Sequence, residues 1–116
     1  MATTLYHGSS VLVPVLEPIK GAVYAAHERR IAIPFALAIR PDERGRCRWT
    51  LHATERISIE QGWLDTTGSG YLYRLTTDNF EQDRYQWVSL VAVTPVGYEV
   101  IRSADYVAWI VSGEIR

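Results

Sequence analysis

The feature that most constrains this chain is the shortness of its apolar runs. Tyr71-Leu72-Tyr73-Arg74-Leu75 alternates aromatic and aliphatic residues with others and reads as a strand. It is preceded by the turn-forming run Asp65-Thr66-Thr67-Gly68-Ser69-Gly70 and followed by Asp78-Asn79. Gln86 to Val93 reads as the next strand, stopped by Pro95, and Tyr98 to Ile101 as another. Tyr106 to Val111 fits a strand, with a short helix as its alternative. Earlier in the chain, Leu5 to Ser10 reads as a short strand broken by Gly8, and Val23 to Ala26 as a short buried one. Arg48 to Ala53 alternates as a strand, and Ile57 with Ile59 marks a further short β-like piece before a turn at Gly62.

Only one segment has helical spacing. Ile31, Ala32, Phe35, Ala36 and Ile39 recur at that period, which predicts a helix from Glu28 to Ile39, irregular around Pro34. Val11 to Ile19 is apolar but holds Pro14 and Pro18, so it is expected to be an extended loop, and Lys20-Gly21 to be a turn. One early helix and about seven strands predict a single α+β domain over residues 1–116, with mostly antiparallel strands in two packed sheets.

The 116 residues are enough to bury a core without staples. The net charge of −1 gives no general attraction to nucleic acid or membrane surfaces. Cys47 is the single cysteine, so an internal disulfide and a cysteine-built zinc site are excluded; it is expected to be a half-buried strand residue. No apolar run approaches a bilayer span and no leader pattern opens the chain, so a cytoplasmic protein with no membrane partner is expected. Phosphate-loop, dinucleotide-fingerprint and nucleophile-elbow patterns are absent from the sequence. His27 and His52 lack metal-ligand spacing.

Two segments carry chemistry together. The first is Tyr6-His7-Gly8-Ser9; the second is Val23-Tyr24-Ala25-Ala26, followed by a helix bearing Phe35. A flat pyridinium amide wants aromatic faces, and its carboxamide wants a backbone donor and acceptor with no side chain in the way. An attached ribose wants a polar group such as an imidazole. The parts supplied by these two segments are of those kinds. Each residue also has a plain reading: a strand-end histidine beside a turn glycine, two core aromatics, and a strand-edge glutamine.

These segments resemble the ADP-ribosyltransferase fold, in the branch of diphtheria toxin and poly(ADP-ribose) polymerase. The resemblance rests on the His-Gly-Ser strand, the Val-Tyr-Ala motif and the helix with Pro34-Phe35-Ala36; Tyr24 and Phe35 lie eleven residues apart. It covers about a third of the chain. It implies NAD as ligand or substrate, with Tyr24 and Phe35 sandwiching the nicotinamide. Gly8 would contact the carboxamide and His7 the ribose, with Ser9 assisting. The family also has a glutamate at the start of a later strand, which holds the ribose hydroxyl and stabilises the cationic transition state. Gln86 stands at that place; an amide can hydrogen-bond a hydroxyl but carries no charge. Glu81 or Glu99 would take the role only under a shifted alignment.

The resemblance therefore implies an NAD-binding domain that transfers ADP-ribose, cleaves NAD, or only binds it. The acceptor, protein or nucleic acid, is not specified. Two other functions fit the residues. An RNA 2′-phosphotransferase-like enzyme would gather Arg29, Arg30 and Arg40 around a phosphate. A non-catalytic binding or assembly module, such as a homodimer, would use Trp49, Trp63, Trp87 and Trp109 at an interface.

Overall fold

A computed structural model describes residues 3–116. The strands in chain order are β1 (Leu5–Ser9), β2 (Val23–Ala25), β3 (Ile39–Arg40), β4 (Arg48–Ala53), β5 (Arg56–Leu64), β6 (Ser69–Leu75), β7 (Phe80–Asp83), β8 (Gln86–Ser89), β9 (Gly97–Arg102) and β10 (Ile110–Ile115). Between β2 and β3 lie one turn of helix, α1 (Arg29–Ala32), and a 3-10 turn, Ile33–Ala36; a second 3-10 helix, Ser103–Trp109, precedes β10. The strands pair as β1-β6-β9, as β10-β5-β3 with β4 also on β5, and as β2-β8-β7. All pairings are antiparallel except β10 with β5. The α+β character holds, but the described strands form three sheets rather than two. Among the described residues no helix is long and apolar enough to cross a membrane.

β6 divides the molecule. Its two faces feed two separate cores, because successive strand residues point in opposite directions. Leu72 faces a core built with Ile101, the helical turn (Ala32, Ile33, Ala36, Leu37) and β5 (Ile57, Ile59, Leu64). Tyr73 and Leu75 face the other, with Leu5, Val23, Ala25, Phe80, Leu16 and Val93. The Tyr73 hydroxyl donates to the Val11 carbonyl at 2.6 Å and accepts from the Val13 N–H at 2.8 Å. It thereby pins the proline-interrupted loop to the second core. The Leu16–Val93 bridge ties that loop to the segment after β8.

The helical turn sits almost on bare strand backbone. A Cβ at Gly70 would collide with the Ala36 carbonyl, and one at Gly8 with the Ala32 carbonyl. Glycine at both positions lets the turn approach.

Several elements differ from the sequence expectation. The helix is four residues, not twelve: Pro34 has no N–H to give, so the chain tightens into a 3-10 turn at Ile33, and Ile39 already belongs to β3. The piece at Ile57 and Ile59 is a nine-residue strand that runs through Gly62, whose φ of +107° is open to glycine. β7 carries no apolar alternation and was not expected. β8 ends at Ser89, whose hydroxyl donates to the Val91 carbonyl, instead of continuing to Val93. Tyr106 lies in a 3-10 helix and Ile110 opens a strand, so both alternatives for that stretch occur in succession. Cys47 is exposed in the loop before β4, not in a strand. There the Asp42 carboxylate accepts from the Arg44 and Arg46 N–H groups, at 2.9 Å each, and closes a tight turn; pairing to β5 begins at Arg48.

The four tryptophans are half-buried. Trp49 meets Phe35 edge-on, Trp109 meets Tyr106, Trp63 lies under the Arg116 guanidinium, and Trp87 packs on the second core. Each thus has a partner within the chain.

Two outcomes test this packing. Gly70→Ala should destabilise the fold by about 1–3 kcal/mol through overpacking, read as a lower Tm; an unchanged Tm contradicts the close approach. The Asp65 carboxyl is held below its ordinary range by the Thr67 hydroxyl first and the Thr67 N–H next, with Arg40 adding to them. A depressed carboxylate stabilises the fold above its unfolded pKa, and that contribution is lost as pH falls through the folded value. The Tm gap between wild type and Asp65→Asn should therefore be present at neutral pH and close below about pH 4; a gap independent of pH contradicts it.

Candidate functional site

β1 and β2 start as neighbours and then part. The Tyr6 N–H donates to the Ala26 carbonyl at 2.8 Å, and the Ala26 N–H to the Tyr6 carbonyl at 2.9 Å. On its other side β1 pairs with β6, His7 opposite Tyr73 and Gly8 opposite Leu72. Antiparallel strands alternate bonded and non-bonded pairs. Since the Tyr6 peptide groups face β2, those of Gly8 face the same way, while those of His7 and Ser9 face β6. Beyond the Tyr6–Ala26 bridge no strand continues the ladder. Among the described residues the Gly8 N–H and C=O have no backbone or side-chain partner on that side.

His7 holds the split. Its Nδ1 lies 2.6 Å from the Tyr24 carbonyl. A carbonyl only accepts, so Nδ1 carries a proton, and in that tautomer Nε2 is the ring's acceptor nitrogen. The imidazole thus spans the gap that the backbones no longer close.

The split opens into a cleft of about 910 Å³. His7 and Gly8 line it from β1, Tyr24 from β2, Ile31 and Phe35 from the helical turn. Gln86 lines it from the start of β8, with Asp83, Arg84 and Tyr85 beside it in the β7–β8 hairpin. Tyr24 is 46% exposed and Phe35 58%, so neither is a core aromatic. Phe35 stands above Gly8: a Cβ on Gly8 would come within 3.0 Å of the Phe35 Cβ. Trp49 meets the Phe35 ring edge-on, with centroids 5.1 Å apart. Tyr24 and Gln86 share the outer face of the β2–β8 pair. Tyr24 opposes Val88, and Gln86 is two residues along from it, so the two are diagonal neighbours.

Five of the six expected site residues thus meet in one cleft: His7, Gly8, Tyr24, Phe35 and Gln86. Ser9 does not line it; its hydroxyl accepts from the Val11 N–H at 3.1 Å and shapes the following loop. Glu81 does not line this cleft but a second hollow on the β7 side, which Asp83 also borders, and Glu99 is engaged by Arg29. That pair joins α1 to β9, and Glu99 raises the Arg29 pKa above its ordinary value. Arg30 pairs with Glu28 and Arg40 with Asp65, and neither of these arginines nor Arg29 lines the cleft. Sequence reasoning missed Asp83, Arg84 and Tyr85. Arg84 turns the hairpin at a φ of +56° without the glycine or asparagine that signals such a turn.

Compared with protein-family models, curated proteins and solved structures, the chain matches none.

The unpaired β1 edge gives a direct expectation. In hydrogen-exchange NMR of the unliganded protein, the Gly8 N–H should exchange much faster than those of His7 and Ser9, which the ladder to β6 protects. Equal protection at all three would show that the edge is closed.

Proposed function

We propose that this chain is an NAD-binding domain of the ADP-ribosyltransferase kind, with the nicotinamide end of NAD seated in the split between β1 and β2. The observation that carries the reading is the free Gly8 peptide edge beneath Phe35 and beside Tyr24. A carboxamide donates through its NH₂ and accepts through its oxygen, so it can bond both to the Gly8 C=O and to the Gly8 N–H, as an added strand would. The pyridinium ring then lies between two aromatic side chains, which favour a flat cation. With Nδ1 engaged by the Tyr24 carbonyl, the His7 Nε2 is the nitrogen left to accept from a ribose hydroxyl.

In this reading Gln86, which lines the cleft, takes the part of the family's glutamate. Its amide can hold a ribose hydroxyl, but it supplies no negative charge to a developing oxocarbenium ion. The reading is therefore binding of NAD first, with ADP-ribosyl transfer of the family's usual kind disfavoured. The phosphotransferase alternative has no matching feature, because Arg29, Arg30 and Arg40 are apart from the cleft and paired with carboxylates.

Calorimetric titration tests the reading. Wild type should bind NAD, and Tyr24→Ala and Phe35→Ala should each weaken NAD by roughly three- to tenfold, the worth of one aromatic face. ADP-ribose, which lacks the pyridinium, should be far less affected by either change. Absence of any heat or thermal shift at millimolar NAD would contradict the reading.

A further inference from the structure

The charge missing at Gln86 is present one strand away. β7 pairs with β8 so that Asp83 lies directly opposite Gln86 and Glu81 opposite Val88. Directly opposed residues put their side chains on the same face of a sheet. That face is the one carrying Tyr24, and both Asp83 and Gln86 line the cleft. Asp83 is the one carboxylate among its lining residues. It is also exposed, at the end of a hairpin strand.

The spacing decides what Asp83 can do. Neighbouring strands lie about 4.8 Å apart, and aspartate is one methylene shorter than glutamate. A carboxylate on β7 is therefore set back from a ribose held at Gln86 by about the room of one water molecule. A single carboxylate so placed can act as a base on a water rather than on the sugar, the role one carboxylate plays in inverting glycoside hydrolysis.

We propose that Asp83 is a catalytic general base for hydrolysis of NAD in this cleft, an inference that rests on the NAD-binding reading. The bond from ribose C1′ to the pyridinium nitrogen breaks, and its electron pair stays on that nitrogen, giving neutral nicotinamide. The oxygen of a water between Asp83 and C1′ forms the new bond to C1′, while its proton passes to the Asp83 carboxylate and then to solvent. The products are nicotinamide, ADP-ribose and one proton; nothing is oxidised or reduced. The Gln86 amide orients the water or the neighbouring ribose hydroxyl, and the His7 Nε2 accepts from a ribose hydroxyl. The titratable or charged groups that share the cleft with Asp83 are His7, Tyr6, Tyr24, Tyr85 and Arg84, with Glu81 two residues along its own face.

The test is a nicotinamide-release assay on the full chain in heavy-oxygen water, with NAD affinity measured in parallel by calorimetry. Wild type should release nicotinamide and place heavy oxygen in the ADP-ribose. Asp83→Asn should lower kcat by about 100-fold or more, the usual worth of a general base, while NAD affinity changes by less than about twofold. Glu81→Gln should leave turnover unchanged. Three results would overturn the role of Asp83 and leave the NAD cleft standing: NAD binding without nicotinamide release, undiminished turnover in Asp83→Asn, and ADP-ribose carried onto the protein rather than onto water. Failure of wild type to bind NAD would overturn both.

Discussion

Two bare stretches of strand backbone, at Gly8 and Gly70, carry the helical turn from Arg29 to Ala36, and the rest of the arrangement follows from that contact. The turn cannot move outward without opening the core shared by Ala32, Ile33, Ala36, Leu72 and Ile57. It cannot move inward, because the Ala32 and Ala36 carbonyls already stand where side chains would project. Phe35 is thus fixed directly over β1. Its ring faces solvent because Pro34 and Ala36 on either side are buried. A proline that would weaken a long helix here makes a tight turn that ends at the right place.

The same contact explains why β1 has a free edge. With the helical turn packed over Gly8, β2 meets β1 only at the Tyr6–Ala26 bridge and then diverges to pair with β8. An edge strand exposes unpaired peptide groups, which proteins usually cover or charge. Here the edge is short, walled by two aromatics and spanned by an imidazole, so it is a recess rather than a site for strand addition by another chain. The β7–β8 hairpin closes the opposite wall and brings the polar side chains Asp83 and Gln86 to its mouth.

Much of this was legible in the sequence at the level of residues. His7, Gly8, Tyr24, Phe35 and Gln86 are far apart in the chain yet line one hollow, and the strong strands at Tyr71–Leu75 and from Gln86 fall where alternation puts them. Ser9 was misplaced because strand alternation turns its peptide groups toward β6 and its hydroxyl has a local partner in the Val11 N–H. The hairpin was hidden for a different reason. Phe80-Glu81-Gln82-Asp83 has one buried residue followed by three exposed ones, so its pairing with β8 leaves no hydrophobic period. The third sheet was hidden because β10 joins β5 in parallel with register shifts, a pairing between distant segments that local pattern does not encode. The helix was overextended because periodicity counts apolar residues and is blind to the missing N–H of Pro34.

The account stands most directly on the Gly8 peptide edge as the seat of a carboxamide. The decisive measurement is an NMR titration of the labelled protein with NAD and, separately, with nicotinamide, following the Gly8 amide. Both ligands should shift its resonance and slow its exchange, with His7 and Tyr24 moving alongside. A Gly8 amide that keeps its position and its exchange rate at saturating NAD would contradict the account.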